Sequence, residues 1–600
     1  MPLEWLNDPA LMAPPRAVRV PLDGGAFLLR SPEPLQPYAR CIGEWLEHWA
    51  ARTPDAQAFA ERNGDGSWQR LTWGQARERI GRIAQSLLDL GLSARAPVVI
   101  LSDNSLEHLL LVLAAMHVGI PACTVSSAYC RLTKDYTKVH GILQALQPGL
   151  VYASDAAVYG PAVAGSGLAC PVFFGRGAQQ HAGSRPFAEL LEKKEGPGVM
   201  QAFEAITPDM HAKYLLTSGS TGQPKVVINT HGMLCANQQM IAQAWRFLER
   251  EKPVLVDWLP WSHTFGANHN LHMVLRNGGT LVVDEGRPAP GLIDRTLANM
   301  AEVQPTIWFN VPRGFDMALP LLEADPELAR KVFARLRVVF YAGAALPQAS
   351  WERLQAVARQ ARGEDVWLTT SWGSTETSPA VTSAHWRLER AGVIGGVLPG
   401  LELKFVPNGE KLEMRVRGVS VFPGYRGAPQ LTAQAFDPEG YYCIGDAGFL
   451  ADPQRPESGV VFDGRVAEDF KLTTGTWVSV GTLRVKVVSA LAPLAQDVVV
   501  TGHDRDEVGV LVFPSAAGAQ LPPGEFAARI AQALGRMKRE GGGSSQCPTR
   551  ALVLAEPPSP DAGEITDKGY INQRAVLQRR AALVQRLYEG GEGVVLPAAA

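Results

Sequence analysis

The sequence predicts an α/β protein of two domains, and three observations carry that expectation. Helix and strand signals alternate for most of the length. After about residue 400 the texture changes to short, alternating, turn-punctuated segments. The 600 residues exceed what a single hydrophobic core organises, so a division is expected, placed here as 1–465 and 466–600.

The elements follow in order. A helix is expected from Thr72: Thr72 and Gln75 have capping-box spacing, Ala76, Ile80, Ile83, Ala84, Leu87 and Leu88 trace one face, and Gly91 closes it. "PVVIL" (97–101) reads as a buried strand, "LEHLLLVLAAMHVGI" (106–120) as a buried helix and "IPACTV" (120–125) as another strand. Further strands are expected at 214–217, 226–229, 280–284, 337–343 and 366–372, each rich in β-branched or aromatic residues. "LKFV", "EMRVRG", "YYCIGDAGFL" and "VVFDGR" suggest a small antiparallel barrel or meander. Beyond Arg465 come short strands at 498–501 and 508–513, a helix over 525–539 and a last helix from about 569.

Composition narrows the class. A formal net charge of -2 exerts no general pull toward nucleic acid or an anionic membrane. The apolar run at 106–120 is interrupted by Glu107, His108 and His117 and falls short of the roughly 20 residues a membrane span needs. The start "MPLEWLNDPA" has an early acid and no basic, apolar leader pattern. The seven cysteines are scattered without a CxxC pair, which suits a reducing cytoplasm better than a disulfide framework or zinc site.

The chemistry concentrates in "YLLTSGSTGQPKVVINTH" (214–231), where four hydroxyl residues and two glycines occupy 217–222 and Lys225 follows. Such a loop exposes N–H groups and hydroxyls that can wrap phosphate oxygens, with the lysine adding a point charge. It is not the GxxxxGK[ST] pattern, because Gly219 and Gly222 stand three apart and Val226 replaces the metal-binding hydroxyl. By composition alone it reads as a surface loop. Its order, "TSGSTGQPK", resembles the phosphate loop of the adenylate-forming superfamily: acyl-CoA synthetases, luciferases and peptide-synthetase adenylation domains.

Other segments resemble that superfamily in the matching order. "LPWSHTFG" (259–266) resembles the segment bordering the carboxylate, "YAGAALP" (341–347) the turn along adenine, and "SWGSTETSP" (371–379) the aromatic-G-x-T-E signature. "YYCIGDAG" (441–448) is similar to the ribose-binding Gly-Asp element and "DGRVAEDFK" (463–471) to the interdomain hinge. The resemblance runs from about residue 40 to about 580. It implies a large N-terminal domain of two α/β subdomains plus a small β-barrel, and a small, mobile α+β C-terminal lid.

The implied reaction joins a carboxylate to ATP, releasing pyrophosphate, and passes the acyl group from AMP to the thiol of coenzyme A. A carboxylate lacks a leaving group until AMP supplies one. The site must therefore gather two anions with cations and oriented dipoles. On the resemblance, Thr217, Ser218, Gly219, Ser220, Thr221, Gly222 and Lys225 hold the β- and γ-phosphates. Gly343, Ala344, Ala345, Trp372, Gly373 and Ser374 lie along the nucleotide, and Thr375 touches the α-phosphate. Glu376 is the Mg²⁺ ligand, Asp446 and Arg465 meet the ribose, and His263 walls the acyl pocket. Trp261, Phe265, Trp308, Phe309 and Trp372 fall in or near segments that line that pocket. The i,i+3 pair His269 and His272 with His263 invites a metal reading, but no acidic or thiol partner is nearby in sequence.

Departures from the pattern are specific. The lid lysine usually follows a short S-G-K; here Gly563 and Lys568 are separated by four residues, and Lys568 is the candidate. The hinge position is Ala467 where Asp or Lys is usual, a residue more than usual precedes Gly475, and a family arginine after that glycine is missing. "GRVAEDFKL", "GTWVSVG" and "GEITDKGYINQRAVL" resemble a branch like feruloyl-CoA synthetase. The expectation is an ATP-, Mg²⁺- and coenzyme A-dependent hydroxycinnamate–CoA ligase, cytoplasmic, monomeric or homodimeric. Fatty-acid or benzoate substrates, a carrier-protein thiol as acceptor, and a non-catalytic adenylate-binding protein remain open alternatives.

Overall fold

A computed structural model of the chain describes residues 3–131, 135–217, 224–474, 476–541, 543, 545–559, 562–565 and 571–598. The first sheet has seven strands in the order Lys225–Thr230, His211–Thr217, Ala122–Val125, Val98–Leu101, Leu150–Asp155, Val172–Arg176 and Arg185–Pro186. All its pairings are parallel except the first, where His211–Thr217 and Lys225–Thr230 run antiparallel. Val98–Leu101 and Ala122–Val125 are buried throughout, as expected of strands covered on both faces. The helix Trp73–Asp89 begins at Thr72, whose hydroxyl accepts from Gln75 N while the Gln75 side chain accepts from Thr72 N. The run after Ser105 is the helix Leu106–His117, with Glu107 its one incompletely buried residue.

The second layer holds a parallel sheet of Ile307–Asn310, Val338–Tyr341 and Trp367–Thr370. Beside it lies a sheet of Val254–Asp257, Thr280–Val283, Gln57–Arg62 and Trp68–Thr72, and Thr306 N donating to Val254 O joins the two. The candidate motifs at 341–347 and 371–379 leave the C-terminal ends of parallel strands, where α/β sheets commonly place ligands.

The strand-rich region expected after residue 400 is an eight-stranded sheet, and it draws in an N-terminal hairpin, Val18–Pro21 with Phe27–Arg30. That hairpin carries no strong strand signal of its own. It is recruited because Phe27 stacks on Phe405 at 4.5 Å in the cross-strand pair.

Residues from Phe470 onward build a separate apolar cluster around Ala495–Thr501, Gly509–Pro514, Arg550–Val553 and Val594–Val595. The expected helix over 525–539 is Pro523–Arg539. The last described helices are Gln573–Arg579 and Ala581–Glu589, so the last helical stretch starts at Gln573 among the described residues. Where this part meets the eight-stranded sheet, Lys411 Nζ pairs with Asp469 and donates to Ser479 Oγ at 3.0 Å. Gly464 and Gly481 face each other there, and a β carbon on Gly481 would lie 2.8 Å from Gly464 Cα.

Inside the small domain Glu564, fully buried, accepts from Arg580 Nε at 2.7 Å, Arg579 Nη1 at 2.7 Å and Ser559 N at 2.8 Å. The Arg580 hydrogen bonds hold the Glu564 carboxyl down at about 2. Removing one partner of a buried pair leaves an uncompensated charge. Arg580→Met should lower amide protection in Arg550–Val553 by about 3 kcal/mol in hydrogen exchange. Because the folded value lies below that of the unfolded carboxyl, Glu564 stabilises fully above about pH 4.3 and loses its contribution as pH falls toward 2. Glu564→Gln should remove that component of the acid transition.

Candidate functional site

The strands flanking the candidate phosphate loop end in the ladder pair Thr217 with Lys225, and residues 218–223, with Ser218, Gly219, Ser220, Thr221 and Gly222, lie outside the described residues. Lys568 lies outside them as well. The remaining candidates converge from four elements.

Residues 371–379 turn sharply. A β carbon at Gly373 would fall 1.8 Å from Pro379 O, so only glycine permits the return. The short 3-10 turn Thr375–Thr377 that follows buries Thr375 and Glu376. Glu376 Oε1 accepts from Tyr425 OH at 3.1 Å, and Lys225 Nζ lies 5.0 Å from the centre of the same tyrosine ring. Tyr425 thus touches both the loop cation and the candidate metal carboxylate. It is fixed by the bridge between Tyr425 and Val227 and by Phe422 N donating to Glu376 O at 2.8 Å.

Asp446 and Arg465 are cross-strand neighbours on Tyr442–Leu450 and Val460–Arg465. Asp446 Oδ2 accepts from Trp372 Nε1 at 2.8 Å, while Oδ1 stands 3.1 Å from Arg465 Nη1 without hydrogen-bond geometry. Burial raises the Asp446 carboxyl, and Arg465 opposes that rise. A buried acceptor oxygen that is ion-paired but, among the described residues, takes no hydrogen bond suits a vicinal diol. Gly343, Ala344 and Ala345 are exposed, following Tyr341, whose ladder partner is Thr370. Ala467 is an exposed turn residue.

His263 precedes a π-helical segment, Phe265–Leu271, buried along its whole length. π-helical turns are rare and concentrate at functional sites. Gln238 Nε2 donates to Asn268 O at 2.8 Å and His269 O at 3.1 Å, satisfying carbonyls that regular helical bonding would have used. Phe265, His269, Phe309 and Phe340 form an aromatic cluster with centroids 5.1–6.0 Å apart. Trp308, grouped with them from sequence, points the other way and packs on Phe315 at 4.9 Å, because successive strand residues face opposite sides. Trp261 packs against His108 at 5.0 Å. His272 lies 6.4 Å from Trp45, and among the described residues no group of three potential ligands could hold a metal ion.

A buried polar chain ties these parts together, and sequence reasoning did not find it. Asn268 Nδ2 donates to Asn229 Oδ1 at 2.8 Å and Thr264 Oγ1 at 3.0 Å, and Asn268 Oδ1 accepts from Lys213 Nζ at 3.3 Å. Asn229 Nδ2 in turn donates to Thr375 O at 3.4 Å. The one available signal was Lys213, a cation inside the apolar strand His211–Thr217. Tyr425 carried no signal beyond being an aromatic in a turn-rich segment.

The chain matches the model for "AMP-binding enzyme" over residues 46–426 and that for "AMP-binding enzyme C-terminal domain" over 471–592. It is 26% identical over 332 residues to a probable CoA ligase of Humulus lupulus, covering 52% of each chain. To the mitochondrial medium-chain acyl-CoA ligase ACSF2 of Homo sapiens it is 23% identical, over 69% of each. Some alignments are shorter, spanning 45% of a Rhodococcus jostii CoA ligase, so the chain matches about half the length of several curated relatives. Among solved structures, an anthranilate CoA ligase, AuaEII, bound to anthranoyl-AMP is similar, with TM-score 0.73, 18% identity and coverage of 92% of this chain and 99% of that one. The Bacillus subtilis O-succinylbenzoate coenzyme A synthetase with AMP is another, with TM-score 0.66, 18% identity and coverage of 88% and 97%. No described helix is long and apolar enough to cross a membrane.

The polar chain makes a stability prediction. Asn268→Ala strands the Lys213, Asn229 and Thr264 groups in a buried setting and should cost about 3 kcal/mol in urea unfolding. Tyr425→Phe removes one hydrogen bond at a less buried position and should cost about 1 kcal/mol.

Proposed function

The chain belongs to the AMP-binding enzyme family, and on that premise we propose that it is an ATP-dependent carboxylate–CoA ligase acting on an aromatic acid of the hydroxycinnamate class, such as ferulate. The observation that carries the reading is Tyr425, which holds Glu376 and Lys225 against one side chain. A cation and a metal-binding carboxylate within one residue of each other match the needs of a triphosphate.

In this reading Thr217 and Lys225, with the loop between them, take the β- and γ-phosphates, and Thr375 touches the α-phosphate. Asp446 accepts from the ribose hydroxyls with the oxygen that takes no hydrogen bond among the described residues, and Arg465 stands beside it. Trp372, fixed through its indole N–H, flanks the adenine together with Gly343, Ala344 and Ala345. The buried Glu376 carboxylate is a hard oxygen donor of the kind Mg²⁺ prefers, and the ion, when bound, neutralises triphosphate charge.

The substrate carboxylate oxygen attacks the α-phosphorus and pyrophosphate leaves. The coenzyme A sulfur then attacks the acyl carbon, and AMP leaves with the bonding pair. The Phe265, His269, Phe309 and Phe340 cluster next to His263 supports a flat, apolar acyl group. Residues 1–465 and 466–600 are taken as the site-bearing domain and the lid, with Ala467 as the pivot and Lys568 as the residue the lid presents for adenylation.

A screen for coenzyme A-dependent AMP release over cinnamates, benzoates and fatty acids tests the whole reading, with cinnamates expected to lead. A carrier-protein thiol in place of coenzyme A separates the two acceptors. Lys568→Ala should lower acyl-adenylate formation by about 10²–10³-fold, the scale of losing one charge-stabilising contact. Thioester formation from supplied acyl-adenylate should be unchanged. Wild-type rates in both half-reactions would remove Lys568 from the mechanism.

A further inference from the structure

Lys213 is a charged residue the proposed reaction does not use. It lies on His211–Thr217, the strand that leads into the phosphate loop, and is 4% exposed. Among the described residues it makes one hydrogen bond, to Asn268 Oδ1 at 3.3 Å, and has no carboxylate within ion-pair distance. An ammonium carries three N–H donors, so two lack a protein acceptor.

The groups around it supply no compensating charge. Burial pushes the Cys123 thiol up to about 12, the His108 imidazole down to about 4 and His231 down to about 3, and it lowers His272 as well. Each is therefore neutral near neutral pH. Among the described residues, both ring nitrogens of His231 and of His272 are buried without hydrogen-bond partners, as is Gln238 Oε1. Loss of hydration lowers Lys213 itself to about 7. An oxygen acceptor brought to it would restore the ammonium.

Its one partner locates it. Asn268 belongs to the π-helical segment that starts two residues after His263, and the same segment contributes Phe265 and His269 to the aromatic cluster. A fatty acyl tail offers such a lysine nothing. A ring hydroxyl offers an acceptor oxygen, and its acidic proton is readily shared with an amine.

We propose that Lys213, oriented by Asn268, donates a hydrogen bond to the ring hydroxyl oxygen of the acid and selects hydroxyaryl acids over unsubstituted ones. The inference rests on the ligase reading above. A site built to hydrogen-bond a hydroxyl rejects the analogue that lacks it far more strongly than an apolar pocket discriminates by size.

The test uses the full-length protein with 4-hydroxycinnamate, 4-methoxycinnamate and cinnamate in ATP–pyrophosphate exchange. Lys213→Met should lower kcat/KM for 4-hydroxycinnamate about 100-fold more than it lowers that for cinnamate. Lys213→Met removes a buried charge but leaves Asn268 Oδ1 without its donor, so the variant should fold with somewhat lower stability than the parent. If it does not fold, Lys213→Gln, whose neutral amide keeps two N–H donors, should show a partial loss of hydroxyl preference. The near-ultraviolet band of bound 4-hydroxycinnamate should shift to longer wavelength in the parent, as the phenol is polarised, and lose that shift in Lys213→Met. A purely structural lysine would not alter it. An unchanged hydroxyl preference in the variant, or a parent protein that treats cinnamate and 4-hydroxycinnamate alike, overturns the proposal. A parent that exchanges pyrophosphate with none of these acids, nor with benzoates or fatty acids, defeats the ligase reading instead.

Discussion

The carboxamide of Asn268 stands at the joint between two sheets, and the loops of the site can meet only as that joint allows. Its acceptor takes Lys213 from the first sheet, and its donors reach Asn229 on the adjoining strand and Thr264 on its own segment. In a place closed to water, each of these groups is costly to leave unpaired. Small displacements are therefore resisted more strongly than the bonds' net contribution to folding would suggest. The π-helical register puts Asn268 into this position, and Gln238 covers the carbonyls that the register frees.

From that joint the constraint passes outward. Asn229 reaches the Thr375 carbonyl, and the next residue, Glu376, is held from its far side by Tyr425. Tyr425 also lies against Lys225, at the start of the strand that carries Asn229. The path closes on itself, so a backbone carbonyl, a carboxylate and an ammonium are set by one ring of contacts. Preorganisation of this kind lets a site stabilise developing charge without reorganising when it reacts. A second arm, from Trp372 through Asp446 to Arg465, is shorter and leaves an oxygen open. The closed ring suits fixed phosphates, and the open arm suits a sugar that arrives with its own donors.

Much of this was legible in the chain, and the gaps have a common cause. The α/β alternation, the capped helix after Thr72 and the strands bearing the motifs are local, and local periodicity reports them. Trp372, Glu376, Asp446 and Arg465 could be named as candidates because each sits in a short motif of fixed order. Asn229, Asn268 and Tyr425 could not, since their meaning lies in partners far away in sequence, such as Asn229 with Thr375. Trp308 and Phe309 could not be told apart in sequence, because a strand's alternation assigns Phe309 to the candidate acyl side and Trp308 to another cluster, and which is which depends on the sheet packed behind. The hairpin Val18–Pro21 with Phe27–Arg30 escaped notice because its stabilising partner, Phe405, lies almost the whole domain away.

The departures at the C-terminal end acquire a physical reading from their surroundings. Ala467, proposed above as the pivot, carries no charge, yet Lys411 supplies a polar anchor there by reaching Asp469 and Ser479 beyond it. Gly464 and Gly481 allow the two backbones to approach there more closely than any side chain would permit. The longer connection after Gly563 would ordinarily cost order, since added loop length raises closure entropy. Glu564 offsets this by being buried against Arg579 and Arg580, and Ile565 pairs with Ile571 just outside the undescribed stretch. Specific anchors thus stand where the family's usual residues are missing. Such compensation fits the proposed moving lid, and it weighs against reading the departures as decay of an abandoned site.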